Sequence, residues 1–218
     1  MEYFGHPFSS YTWKGEIALI EKGATYRFRN VDPSEPDNGA VLAAQSPSGK
    51  FPILIDGERT LFESSIIIEY IDRKMPHAPA LIPQDWDAAL KVRLMDRMFD
   101  NHVMGNAQAI VAEHLPFITP TPDENRIARA RQELLKIYGW LETVLLPHGW
   151  ACGNDFSMAD CAAAPSLFYA DWVQEIPHSL TTLRAYRARL LERPSVVQCV
   201  EAARPYRHYF PLGAPDRD

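Results

Sequence analysis

Strand-like segments are confined to the first 62 residues of this 218-residue chain, and from Asp85 onward apolar residues recur at helical spacing. A chain divided in this way cannot close one sheet around a single core. It points to a small α/β unit followed by an all-helical one.

In the first part, Glu2 to Phe4 reads as a short strand, Gly5 to Tyr11 as a turn, and Thr12 to Lys22 as a helix ending at Gly23. Thr25 to Val31 reads as a second strand, which implies a parallel pair with a right-handed crossover. Residues 32 to 49 hold several prolines and glycines and are expected to be mostly loop, with one short helix near Ala40 to Ala44. Phe51 to Ile55 and Thr60 to Phe62 flank Asp56-Gly57-Glu58, a hairpin signal in which glycine accepts positive φ. Ser64 or Ser65 is then expected to cap a helix that runs to about Lys74. The order is βαβαββα, an α/β domain over residues 1–76. A linker over 77–84 leads to an all-helical domain over 85–218, with helices expected from Asp85 to about Leu115, Asp123 to Leu146, Met158 to about Val173, Leu180 to Leu191 and Ser195 to Ala203. The tail from Arg204 to Asp218 reads as irregular.

The formal charge of −6, with acidic and basic residues interspersed, argues against nucleic acid and anionic membranes as partners. The start MEYFGHPFSS lacks a basic segment before an apolar run, and eighteen apolar residues never occur together, so a cytoplasmic location is expected. Cys152, Cys161 and Cys199 form no C-x-x-C pair, and the seven histidines show no metal-ligand spacing. No metal is expected, and the histidines read as surface or core residues.

Two places can carry chemistry. Pro52 at the start of a strand is tolerated there because it has no donor to lose; alternatively, a cis Phe51-Pro52 bond turns the N–H and C=O of Phe51 outward to meet an extended peptide ligand. Phe62-Glu63-Ser64-Ser65 reads by itself first as a plain helix cap, and alternatively as a receptor for an α-amino acid head. In the second reading Ser64 and the helix N-terminus take the carboxylate and Glu63 the ammonium.

The string SPSGKFPILIDGERTLFESSIIIEYID, which contains both places, resembles the glutathione-site signature of the cytosolic glutathione transferases. That resemblance implies a thioredoxin-like N-terminal domain and glutathione as co-substrate, with a cis proline at Pro52. Phe51 would pair with the cysteinyl part, Glu63 and Ser64 would hold the γ-glutamyl end, and Lys50 would lie near the glycyl carboxylate. Phe156-Ser157-Met158-Ala159-Asp160 is similar to the family's capping box, a folding element whose loss through Asp160→Ala is expected to cost on the order of 1 kcal/mol.

Catalysis would need a glutathione thiolate at neutral pH, against an ordinary thiol pKa of about 8.5. A hydroxyl donor at a helix N-terminus favours the anion. Ser9, Ser10, Tyr11 and Thr12 offer four such hydroxyls. Ser9 stands eight residues before Ile17 of Ile17-Ala18-Leu19, where serine-type members of the family place their catalytic serine, and SSYTWKGEIAL is similar to the SSCSWRVRIAL-type segment of the zeta class. Ser9 is the first candidate, followed by Ser10 and Tyr11. Gly15-Glu16 departs from the Val-Arg of many relatives and puts a carboxylate one turn from the site. Phe99, His102, Val103 and Asn106, with Tyr206 or Tyr209, are expected to line a pocket for a small hydrophobic electrophile. The resemblance further implies a homodimer across the helix after Ser64 and the first long helix of the second domain. The alternatives are a zeta-like cis–trans isomerase of the maleylacetoacetate type and a non-catalytic glutathione-binding relative. A glutaredoxin-like reductase is disfavoured, since residues 1–151 contain no cysteine.

Overall fold

The structure, a computed structural model, describes all 218 residues. Its first part runs β1 (Glu2–Gly5), α1 (Ser10–Glu21), β2 (Arg27–Asn30), α2 (Pro36–Gln45), β3 (Ile53–Asp56), β4 (Arg59–Phe62) and α3 (Ser64–Lys74). β1 lies parallel to β2 and antiparallel to β3, and β3 pairs antiparallel with β4, which gives the sheet order β2-β1-β3-β4. The β3–β4 hairpin closes on the Asp56–Arg59 pair, with Gly57 at φ 61°. Alternation along the strands sends Tyr3 and Leu54 against Leu19, Ile67 and Ile71 on one face, and Phe4 and Ile53 against Leu42 on the other. α2 is longer than expected, because Pro36 in its first turn has no donor to lose and is already near helical φ.

Gly15 is a space requirement. A Cβ there would sit 2.4 Å from the Tyr3 hydroxyl, which donates to the Thr12 carbonyl at 2.7 Å. The Glu16 carboxylate accepts from the Tyr26 hydroxyl at 3.0 Å, and burial pushes its pKa up. It is thus engaged beside β2.

The second part contains α4 (Trp86–Arg97), a π-helical segment (Met98–Met104), α5 (Gly105–Glu113), α6 (Glu124–Val144), α7 (Met158–Val173), α8 (Thr181–Glu192), α9 (Pro194–Ala203) and a 3₁₀ segment (Arg204–Tyr209). The single helix expected over 85–115 is therefore interrupted, and part of the tail expected to be irregular is helical. Every residue of α7 is buried, and the inner face of α1 (Trp13, Ile17, Ala18) joins the same apolar cluster. Trp13 lies 5.0 Å from Phe168 and 5.4 Å from Tyr169 between ring centroids, and its indole N–H donates to the Pro7 carbonyl at 2.5 Å. No helix is long and apolar enough to cross a membrane.

Ion pairs tie α1 to the rest. The buried Lys22 ammonium meets Asp72 at 2.8 Å and the Pro79 carbonyl at 2.8 Å, while Asp72 accepts from the Leu81 N–H at 2.8 Å, so the connection between the domains is pinned to α1 and α3. Arg193 forks onto Glu21 with two contacts of 2.7 Å. The Lys14 ammonium, 1% exposed, lies 2.6 Å from Asp96 and 2.6 Å from Asp100.

The capping box at the start of α7 forms, and Asp160 does more than cap. Its carboxylate accepts from the N–H groups of Ala151 (2.8 Å) and Ser157 (2.9 Å) and from the hydroxyls of Ser157 (2.8 Å) and Tyr186 (2.7 Å). Asp160→Ala would leave four buried donors without an acceptor, so the expected cost rises from that of a cap to about 3 kcal/mol or more. Urea unfolding measures it, and a loss near 1 kcal/mol would return Asp160 to an ordinary capping role. Lys14→Met would leave Asp96 and Asp100 sharing the half-exposed Arg97 as their counter-charge and cost about 3 kcal/mol. Burial already pushes Asp100 above the usual carboxylate range. A group whose folded pKa is raised binds its proton more readily in the folded state, so the Lys14→Met deficit should shrink as pH falls from 8 towards 5.

Candidate functional site

The turn between β1 and α1 is built by short-range hydrogen bonds. The Ser9 N–H donates to the His6 carbonyl at 2.9 Å, and Ser9 then serves as N-cap of α1, its Oγ accepting from the Thr12 N–H at 3.3 Å. The Ser9 O–H is left as a donor at the positive end of the helix. Ser10 is buried as the first residue of α1, and Tyr11 follows half-buried.

Opposite stands the N-terminus of α3. Glu63, not Ser64 or Ser65, holds the N-cap position; it has φ 69° and makes no side-chain capping bond. The N–H groups of Ser64, Ser65 and Ile66 have no partner within the chain. They form a ready set of donors for a carboxylate. The Phe51–Pro52 bond is cis, and the N–H and C=O of Phe51 are also unpaired within the chain. Tyr11, Lys50, Phe51, Pro52, Glu63 and Ser64 all line one cleft of about 590 Å³. Ser65 leads inward from this cleft: its hydroxyl accepts from Lys14 at 2.7 Å, donates to Asp96 at 3.0 Å and contacts Arg97. Arg97 also meets Asp96 at 2.5 Å and Asp100 at 2.6 Å. Burial, reinforced by the charge of Asp100, pushes the Tyr11 phenol up to about 12, so it is a protonated donor at neutral pH.

Ser9 and Ser10 line a second, smaller pocket of about 220 Å³ with Phe8, Met104, Ala107, Val111, Tyr169, Tyr209 and Phe210. Gln108 borders both cavities. The pocket's lining therefore differs from the expected set. Phe99 and Val103 are wholly buried, and Phe99 stacks on Tyr186 with ring centroids 6.3 Å apart. His102 is exposed, and Asn106 donates back to the His102 carbonyl at 2.7 Å. Tyr206 accepts from the Asn30 amide at 3.3 Å and packs on His6, while Tyr209 does reach the pocket. Phe99 and Val103 continue the buried stripe of Val92 and Met95 into the core, and Met104, Ala107 and Val111 line the pocket in their place.

Lys14, Asp96, Asp100, Gln108 and His6 escaped the sequence reading as site residues, and Ser65 enters it only as part of the cap motif. Some signal existed: Lys14 interrupts the apolar inner face of α1, and Asp96 and Asp100 sit four apart beside buried Met95 and Phe99.

Comparison with known proteins agrees with this arrangement. Residues 4–80 match the family model for the glutathione S-transferase N-terminal domain, and residues 124–189 match that for the C-terminal domain. A stringent starvation protein A homolog of Coxiella burnetii is 28% identical over 89% of this chain and 88% of its own length. A probable maleylacetoacetate isomerase of Vibrio cholerae is 29% identical over 93% of this chain and 96% of its own. The crystal structure of a glutathione S-transferase from Methylobacillus flagellatus with glutathione bound superposes with a TM-score of 0.77 at 28% identity, covering 91% of this chain and 98% of that one. With both family models matched in order on a four-stranded mixed sheet and a helical second domain, the chain belongs to the cytosolic glutathione S-transferase family.

Proposed function

We propose that the protein is a glutathione transferase that activates the glutathione thiol and adds it to a small, neutral, apolar electrophile. The observation that carries this reading is the juxtaposition of two cavities across Gln108. One is a polar cleft whose unpaired backbone groups at Phe51 and Ser64 suit a γ-glutamyl peptide; the other is an apolar pocket with Ser9 and Ser10 in its wall. Lys50 supplies positive charge at the edge of the cleft for the glycyl carboxylate. The Ser9 O–H would donate to sulfur, and the N-terminus of α1 would add positive potential, both stabilising the thiolate. Tyr11, held protonated, is a second donor from the cleft side.

Isomerisation of maleylacetoacetate is the competing reading, favoured by the relative of that name. Its substrate carries two carboxylates, yet the pocket beside Ser9 is lined by no lysine, arginine or histidine. A doubly charged ligand would lose hydration there without gaining a counter-charge. Conjugation of a neutral electrophile suits that lining better.

Two measurements test the proposal. With an aromatic electrophile, Ser9→Ala should lower kcat/KM about 10²- to 10³-fold, as loss of a donor to a developing anion does, with the KM for glutathione little changed. Ser64→Ala should instead raise that KM. A wild-type protein that neither turns over nor is retained on immobilised glutathione would overturn the reading, and retention with Ser9→Ala fully active would remove Ser9 from its role. The homodimer draws support from an apolar stripe on α4, where Trp86, Leu90 and Leu94 are 71%, 52% and 54% exposed at four-residue spacing, with Ile66 of α3 at 50% nearby. Sedimentation should give twice the chain mass of 24.7 kDa, and Leu90→Asp with Leu94→Asp should give the single-chain mass; a wild-type monomer would contradict it.

A further inference from the structure

We propose that His6 is a positioning residue: its imidazole pins the turn that carries Ser9, and the pin opens when the ring takes up a second proton. This rests on the reading of that turn as the thiol-activating element. The residue follows β1 directly and spends nearly all its polar groups on the turn. Its N–H donates to the Thr12 hydroxyl at 3.3 Å, its carbonyl accepts from Ser9 at 2.9 Å, and its Nδ1 accepts from the Phe8 N–H at 3.1 Å. The ring meets Tyr206 edge-on at 4.6 Å and lies 6.4 Å from Tyr209. Phe8 and Tyr209 both line the pocket beside Ser9, so one imidazole supports two of its walls.

Because Nδ1 accepts a hydrogen bond, it carries no proton, and the single ring proton sits on Nε2, which faces the Asp32 carboxylate at 3.7 Å. Protonation at Nδ1 would set a donor against the Phe8 N–H and remove that bond. The groups that face the ring are Asp32 from the loop after β2 and the phenols of Tyr206 and Tyr209 from the C-terminal segment; the Thr12 hydroxyl of α1 meets the backbone N–H of His6 and not its ring. Asp32 favours the imidazolium, but burial outweighs it and holds His6 below the usual histidine range. The turn is therefore pinned at neutral pH and released on acidification. His6→Asn places an amide oxygen where Nδ1 stood, keeping the acceptor without the titration, whereas His6→Phe keeps a ring without the acceptor.

The test uses two readouts on the intact protein. In the free wild-type protein, the Phe8 amide resonance should titrate with the same midpoint as the His6 imidazole; an amide that does not move while His6 titrates overturns the proposal. S-hexylglutathione, which has no thiol to ionise and joins a glutathione backbone to an apolar chain, should bind the wild type about 2- to 10-fold more weakly once His6 is protonated, a factor equivalent to one hydrogen bond. Its binding to His6→Asn should stay level over the same range, and its binding to His6→Phe should be weak throughout. Equal pH dependence in wild type and His6→Asn would sink the pin. Failure of every protein to bind S-hexylglutathione at any pH would instead sink the glutathione reading, leaving the Phe8 titration to decide on His6.

Discussion

The Lys14 ammonium, enclosed between Asp96 and Asp100, is the interaction around which the two domains are set. A buried cation is tolerated when carboxylates lie within contact distance and their remaining oxygens are satisfied. Lys14 comes from α1 and its partners from the helix that opens the second domain, so the requirement fixes how closely those elements approach. Ser65 and Arg97 complete the network and bring the start of α3 to the same place. The polar cleft is what remains open between them. Its unpaired N–H groups at Ser64 and Ser65 keep their direction because the helix beneath them is tied to buried charge.

The second cavity has a different origin. The helical run from α4 through α5 sends Asp96 and Asp100 to the ion network and Phe99 and Val103 into the core, and presents Met104, Ala107, Gln108 and Val111 to the pocket. Its far wall is the C-terminal segment, seated by Phe210 on Trp172 with ring centroids 5.0 Å apart. The hydroxyl-bearing turn before α1 lies between these walls, stiffened from below by Trp13 and from the side by His6. A rigid frame of this kind is what a hydrogen bond to a thiolate needs, since the stabilisation depends on a donor already pointing at the charge.

Much of this was legible in the residues. The hairpin around Gly57 and the capping box at Ser157 and Asp160 each rest on local chemistry that neighbours three or four positions away are enough to set. The glutathione signature over residues 50 to 65 was equally visible, because its parts lie on one short stretch of chain. What stayed hidden depends on contacts across the fold. The glycine at position 15 has no local reason within α1, and it is the Tyr3 hydroxyl packed against it, from a distant strand, that requires it. The periodicity of residues 85–115 marks helix but does not say which neighbours its apolar stripe meets, and Phe99 and Val103 face the core and not a pocket. Likewise His6 is one histidine among seven until Phe8, Asp32 and Tyr206 surround it.

The central claim is that this frame lowers the pKa of a bound glutathione thiol through the Ser9 hydroxyl. The most direct measurement is the ultraviolet thiolate absorbance of the glutathione complex, followed across pH in the wild type and in Ser9→Ala. The account predicts that thiolate forms in the wild-type complex well below the ordinary thiol pKa of about 8.5 and reverts towards it in Ser9→Ala. A bound thiol that ionises at its solution value in the wild type, or identically in both proteins, would contradict it.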